Sequence, residues 1–365
     1  MSRKTALHGA HVALGAKMGE FAGYDMPLYY GLGVKKEHEW VRASCGIFDV
    51  SHMGQISVKG AEGETDAVEF FEKITPSAFS KLGINRTKYT VLTNDQGGII
   101  DDLMVTKTGD NEFHCVINAG CKEKDIQWIK SHLTSGLEFT YFEDWSLIAL
   151  QGEKAEDVVR DVLGKDLSDV PYMGLWYEDY TMFISRLGYT GEDGFEISVP
   201  NKDAEALWNK LLEHDAVEPI GLAARDSLRL EMGYCLYGHD IDASTTPREA
   251  DLSWVMGKNN DGFIGADKVV DPARKRVGVK LTGKGVAREG AEIRTTDDEV
   301  IGTLTSGGFS PTLGMSIGQG YVPVEYAQEG TELLINVRGR NIEAEVAKMP
   351  FVPAKTKSAK AVKTA

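Results

Sequence analysis

The chain has 365 residues, of which 42% are hydrophobic and 26% charged, an ordinary globular balance long enough for two or three domains. Forty basic against fifty-five acidic side chains leave a net charge of -15, which argues against nucleic acid and anionic membranes as partners and leaves small molecules and proteins. Cys45, Cys115, Cys121 and Cys235 show no paired or Cys/His ligand spacing, so reduced thiols are expected, with neither a zinc site nor a disulfide framework.

From the N-terminus, Gly9, His11 and Gly15 interrupt any apolar run that a secretory signal needs, and no segment approaches the length of a membrane span. A cytoplasmic protein, or an organellar one already processed, is expected. His8 and His11 fit one helix face, and His52 lies in the strand-like FDVSHMGQ; neither carries the motif of a metal site. Period-two alternation marks strands in IFDVSHMGQISVKG, KYTVLTN and IIDDLMVTK, and NDQGG joins the last two as a hairpin. AVEFFEKI, KDIQWIKSHL, AEDVVRDVL and DAEALWNKLL place apolar residues three or four apart, as helices laid on a sheet do. The class is therefore α+β. After about residue 260 only short β-like runs broken by Gly, Asp and Pro remain, which predicts a small antiparallel barrel or sandwich at 275–353 after a 1–260 region. The stretch 354–365 is lysine-rich and reads as a flexible basic tail.

Three segments carry candidate chemistry. In GGIIDDLMV two adjacent aspartates, Asp101 and Asp102, interrupt an apolar strand and must leave on opposite faces. At least one is expected to be partly buried, either as a structural acid capping backbone amides or as a carboxyl whose pKa rises toward proton-transfer use. In GYTGEDGFE, Asp193-Gly194 is a favoured hairpin dipeptide, Gly191 suits a positive φ, and Glu192 and Asp193 read as solvated turn acids. Downstream, Phe195, Ile197 and Val199 share one face, so Glu196 points to the other, either into solvent or into a pocket. GLAARDSLRLEMGYCLYG reads as a short helix between Gly221 and Gly233 with Arg225 and Arg229 on one side, a pair suited to salt bridges with neighbours such as Asp226 or to a ligand carboxylate. TSGGFSPTLG lacks the lysine and helix of a phosphate loop.

In order, FAGYDMPLYY, IFDVSHMG, GGIIDDL, GYTGEDGFE, GLAARDSLRLE, LYGHDID, TSGGFSPTLG and KMPFVP span nearly the whole chain, and together they resemble the T-protein family of the glycine cleavage system, tetrahydrofolate-dependent aminomethyltransferases. The resemblance implies two mixed α/β domains and a C-terminal β-barrel around a folate site. It implies Asp102 as the catalytic aspartate and Glu196 as the acid that binds the pterin ring. Arg225, Tyr189, Tyr89, Asn118, Met53 and Tyr172 match further folate-site positions. Tyr24 stands where the family often has tryptophan. The implied reaction takes the aminomethyl carbon from the lipoyl arm of H-protein to tetrahydrofolate, releasing ammonia and needing no metal. Two other functions fit the same fold: a folate-dependent demethylase, and a folate-binding accessory protein without turnover. Arg274–Arg276 and the terminal lysines are the candidate basic patches for docking a protein partner.

Overall fold

The computed structural model describes residues 2–178 and 181–358. Helix α1 (His8–Ala13) precedes a hairpin of β1 (Lys17–Phe21) and β2 (Tyr24–Tyr29), then α2 (Val34–Ala43). There follow β3 (Cys45–Asp49), β4 (Gly54–Lys59), α3 (Asp66–Ile74), β5 (Arg86–Thr93), β6 (Ile99–Gly109), β7 (Glu112–Ile117) and α4 (Lys122–His132). Next are β8 (Glu138–Tyr141), β9 (Trp145–Gln151), α5 (Ala155–Leu163), β10 (Gly174–Glu178), β11 (Met182–Arg186), β12 (Gly194–Pro200), α6 (Asn201–Leu212), β13 (Val217–Pro219) and α7 (Leu222–Glu231). The last strands are β14 (Arg274–Leu281), β15 (Glu292–Arg294), β16 (Val300–Ser310), β17 (Met315–Pro323), β18 (Glu332–Val337) and β19 (Arg340–Ala347).

Strands β3 to β13 form one 11-stranded sheet in the order β13-β3-β9-β12-β11-β10-β5-β6-β7-β4-β8. Each half of its outer face carries its own helical layer. Val158 and Val159 of α5 and Leu207, Trp208 and Leu211 of α6 pack on Ile148, Phe195 and Ile197. In the other half Phe70, Phe71 and Ile74 of α3 and Ile129 of α4 pack on Leu92, Leu103 and Val105. The apolar three-and-four spacing of these helices is what lets one stripe of each be buried. The inner face is covered too: Ala224 and Leu228 of α7 lie on Phe48 and Ala149, while Cys235, Ile241, Leu252 and Val255 cover Val91 and Ile99. A sheet covered on both faces leaves no solvent side for its polar residues.

The remaining strands close a six-stranded barrel, β14-β17-β16-β15-β18-β19. Alternate residues point inward, among them Val277, Val279, Leu333, Ile335 and Val346. The mixed α+β class and the antiparallel barrel thus match the sequence expectation.

Buried charge ties the barrel to the end of α7. Glu231 accepts bonds from Ser310 Oγ at 2.5 Å, Thr312 Oγ1 at 2.8 Å and Arg42 Nη2 at 2.6 Å. Burial opposes its charge, yet these donors, His38 and the Arg42 cation win and pull its carboxyl down to about 2. A few residues along the helix and the following loop, Arg229 Nη1 meets Asp240 Oδ2 at 2.8 Å and Arg229 Nη2 meets Ser306 Oγ at 2.9 Å. Asp240 also accepts from Leu236 N, Thr305 Oγ1 and Gln319 Nε2, at 2.9, 2.6 and 2.7 Å. TSGGFSPTLG is therefore the end of β16 and its turn, a set of hydroxyl donors for Glu231 and Asp240.

Several expectations are corrected. Residues 187–193 form a longer connection between β11 and β12, not a tight Asp-Gly turn; Gly194 opens β12, where a Cβ would sit 2.3 Å from Leu150 O. Gly191 does have φ +77°, and a Cβ there would overlap Met232 Sδ. Glu192 is buried and ion-paired with Arg42 at 2.9 Å, and Asp193 bonds Arg186; neither is a solvated turn acid. The basic run is pinned where it begins, since Lys355 Nζ meets Glu192 at 3.2 Å and Lys357 Nζ meets Glu156 at 3.1 Å; residues 359–365 lie outside the described residues. Arg274 and Lys275 are paired with Glu249 and Asp251, and Arg276 is buried against Gly233 O and Gln319. Those cations are engaged within the chain and do not form a free docking patch.

Candidate active site

Strand register decides where the candidate residues point. Glu196 lies beside Ser185 of β11 and Ala149 of β9, and Ala149 lies beside Phe48 of β3. Phe195 and Ile197 face the outer helices, so Glu196 faces inward toward α7. Glu196 is 7% exposed, which rules out the solvent-facing reading. Among the described residues no hydrogen bond reaches its carboxylate. Burial raises its pKa, and the nearby Arg225 cation offsets part of that.

Arg225 leaves α7 from the opposite side. Its guanidinium carbon stands 4.9 Å over the Tyr189 ring and 6.0 Å from the Phe48 ring, a cation–π seat. Its Nη1 is buried without a hydrogen-bond partner among the described residues. Arg229, by contrast, takes the salt-bridge role foreseen for the pair, with Asp226 at 2.8 Å as well as with Asp240. The helix thus splits its two arginines between structure and cleft.

Asp102 and Asp101 part as expected. Asp102 is opposite Val91 on the inner face with Tyr89, while Asp101 is opposite Leu92 on the helix side and fully buried. Asn118, just past β7, joins them: its Nδ2 lies 3.0 Å from Asp101 Oδ1 and 2.8 Å from Asp102 Oδ1. The Tyr89 hydroxyl lies on the same side, near enough to the Asp102 carboxylate to favour its charged form. Desolvation, then the charge of Asp101, push Asp102 up to about 7 against the pull of Tyr89 and Asn118. A carboxyl that exchanges its proton near neutrality is suited to general acid–base work.

Aromatic rings surround these two centres. Tyr189 donates to Cys235 O and stacks on Tyr234 at 5.7 Å. Tyr172 lies against the Tyr234 hydroxyl, near Glu196. Tyr89 stacks on Trp254 at 5.5 Å, and Trp254 is 66% exposed. Met53 packs beside Phe48 and Ala149. Asp102, Glu196, Arg225, Tyr189, Tyr89, Asn118, Met53 and Tyr172 therefore all come to the inner face.

Sequence reasoning missed Tyr234, Trp254 and Asp240. Trp254 alone left a signal, a large aromatic in the otherwise polar DLSWVMG. It also missed the acids of the histidines: His8 meets Asp25 at 2.8 Å and His11 meets Asp49 at 2.9 Å, both supplied by distant strands. Tyr24, in the place of the usual tryptophan, receives a bond from Lys122 Nζ at 2.6 Å.

Comparison with known proteins places this arrangement. Residues 7–260 match the family model described as GCVT N-terminal domain, and residues 274–353 match the glycine cleavage T-protein C-terminal barrel domain. An aminomethyltransferase of Flavobacterium psychrophilum is 41% identical, over 96% of this chain and 99% of its own. A mitochondrial aminomethyltransferase of Saccharomyces cerevisiae is 43% identical, over 96% and 94%. The crystal structure of glycine cleavage system aminomethyltransferase T from Bartonella henselae superposes with a TM-score of 0.94 at 40% identity, covering 98% of this chain and all of that one. With both domains matched in order over nearly its full length, the chain belongs to the glycine cleavage T-protein family.

Proposed function

We propose that the chain is the aminomethyltransferase of a glycine cleavage system. It moves the aminomethyl carbon from the dihydrolipoyl arm of H-protein to tetrahydrofolate, with release of ammonia and formation of methylenetetrahydrofolate. Its working place is the soluble compartment that holds H-protein, cytoplasm or mitochondrial matrix. The observation that carries the folate assignment is a buried guanidinium nitrogen, Arg225 Nη1, without a hydrogen-bond partner among the described residues, beside an acid, Glu196, that is 7% exposed and whose carboxylate accepts no hydrogen bond from them. Unsatisfied charge of that kind is costly unless a ligand completes it. The aminopyrimidinone edge of a pterin offers two adjacent N–H donors, which match one carboxylate. Tyr189, Tyr172 and Met53 supply the flat apolar walls for the ring, and Asp102 stands ready to take a proton from the attacking nitrogen.

Glu196→Ala is expected to weaken tetrahydrofolate binding by about 1.5–3 kcal/mol, the worth of a charge-assisted hydrogen bond, with the fold kept. Calorimetric titration of wild type and variant checks this. An unchanged dissociation constant removes Glu196 from the site.

A further inference from the structure

Asp125, on the first turn of α4, is fully buried, and among the described residues neither of its carboxyl oxygens has a hydrogen-bond donor. Its neighbour is another carboxyl. The Asp101 side chain lies within hydrogen-bonding reach of it, and two carboxyls meet in that way only when one carries a proton. Which one does follows from the donors around Asp101. Asn118 gives it a backbone N–H at 3.3 Å and an amide N–H at 3.0 Å. A carboxylate is an acceptor only, so two donors on Asp101 against none on Asp125 mark Asp101 as the charged partner and leave the proton on Asp125.

We propose that Asp125 is a positioning residue: its neutral carboxyl donates a hydrogen bond to Asp101 and thereby fixes the Asp101–Asn118–Asp102 line. The inference rests on the role of Asp102 given above, and it adds a residue separated from Asp102 by Asp101 and Asn118. The groups around the pair are consistent with it. Burial, foremost, and then Asp101 raise the Asp125 pKa to about 11, against a smaller opposing pull from the Lys124 cation. That lysine is turned away, its ammonium bonded to Ile100 O and to Tyr237 Oη at 3.0 Å. On the other side Asp102 is faced by Asp101, Tyr89 and Asn118, with Tyr189 and Cys235 beyond Tyr89.

The test uses the full chain and follows the titration of Asp102 by carboxyl-carbon NMR, which needs no turnover. Asp125→Asn keeps an N–H donor in the same place and removes no charge. The Asp102 midpoint is therefore expected to stay where it is, and the single-turnover rate to stay within about twofold of wild type. Asp101→Asn removes the charge that raises Asp102, so the midpoint falls; this variant calibrates the measurement. Asp125→Ala removes the donor, and the rate is expected to fall about tenfold, the loss of one hydrogen bond, with Asp125→Asn restoring it. A drop of the Asp102 midpoint in Asp125→Asn shows that Asp125 carries charge and overturns the proposal, as does a rate loss in Asp125→Asn equal to that in Asp125→Ala. If Asp125→Ala does not fold, the Asp102 midpoint in Asp125→Asn still decides. If Asp102 proves dispensable for turnover, the reading of the site fails while the NMR result stands.

Discussion

Asp102→Asn is expected to lower the single-turnover rate by ~10²–10⁴-fold, the usual range for a positioned proton acceptor, while tetrahydrofolate still binds. The amide keeps the shape of the side chain and its contact with Asn118 but cannot accept a proton. A residue that merely filled space would tolerate the exchange. The pH dependence gives a second, independent reading of the same group. Asp102 is pushed up to about 7 by burial and by Asp101, so the fraction able to accept a proton grows as pH rises through neutrality. The wild-type rate is expected to climb through that range to a plateau, and the residual rate of Asp102→Asn to lose this limb. Full activity in the variant, or a wild-type profile that falls over the same range, contradicts the role.

The second large effect is on stability. Arg229→Ala is expected to destabilise the protein by about 3–5 kcal/mol, as breaking a buried ion pair does. The arginine joins Asp240, Ser306 and the Tyr234 carbonyl between α7 and the barrel. Removing it leaves Asp240 buried without its cation, which costs more than the pair itself contributes. The neighbouring Arg225 is a control, because its guanidinium has no ion-pair partner of that kind among the described residues: Arg225→Ala is expected to spare stability and reduce folate binding. Denaturant unfolding of the two variants checks the split. Equal destabilisation would mean that α7 does not divide its arginines between fold and cleft.

Much of this architecture was legible in the chain. Apolar residues three and four apart announced α3, α4, α5 and α6, because each of those helices buries one stripe on the sheet. Alternation announced the β5–β6 hairpin and the barrel strands. That Glu196 points away from the face of Phe195 and Ile197 was legible, since a strand sends neighbours to opposite faces. What alternation could not tell is that the inner face is also covered, and this is why Glu196 had two readings until α7 was in place. Glu192 and Asp193 were misread for a related reason: their partners Arg42 and Arg186 come from other elements, and local composition around the turn contains no trace of them. Gly194 was misread as a turn residue because Asp-Gly is a common hairpin dipeptide; its actual constraint is the Leu150 carbonyl in the neighbouring strand. Asp125 gave no signal at all. An acid near the start of a helix is ordinary, and only the packing of α4 on β6 brings it against Asp101.

The most direct measurement is to incubate the protein with aminomethylated H-protein and tetrahydrofolate and to follow ammonia and methylenetetrahydrofolate together. Equal release of both, dependent on Asp102, is the expected result. Tetrahydrofolate that binds but is not converted would indicate an accessory protein, and conversion to methyltetrahydrofolate from a methylamine or sulfonium donor, with none from H-protein, would indicate a demethylase; either outcome contradicts aminomethyl transfer.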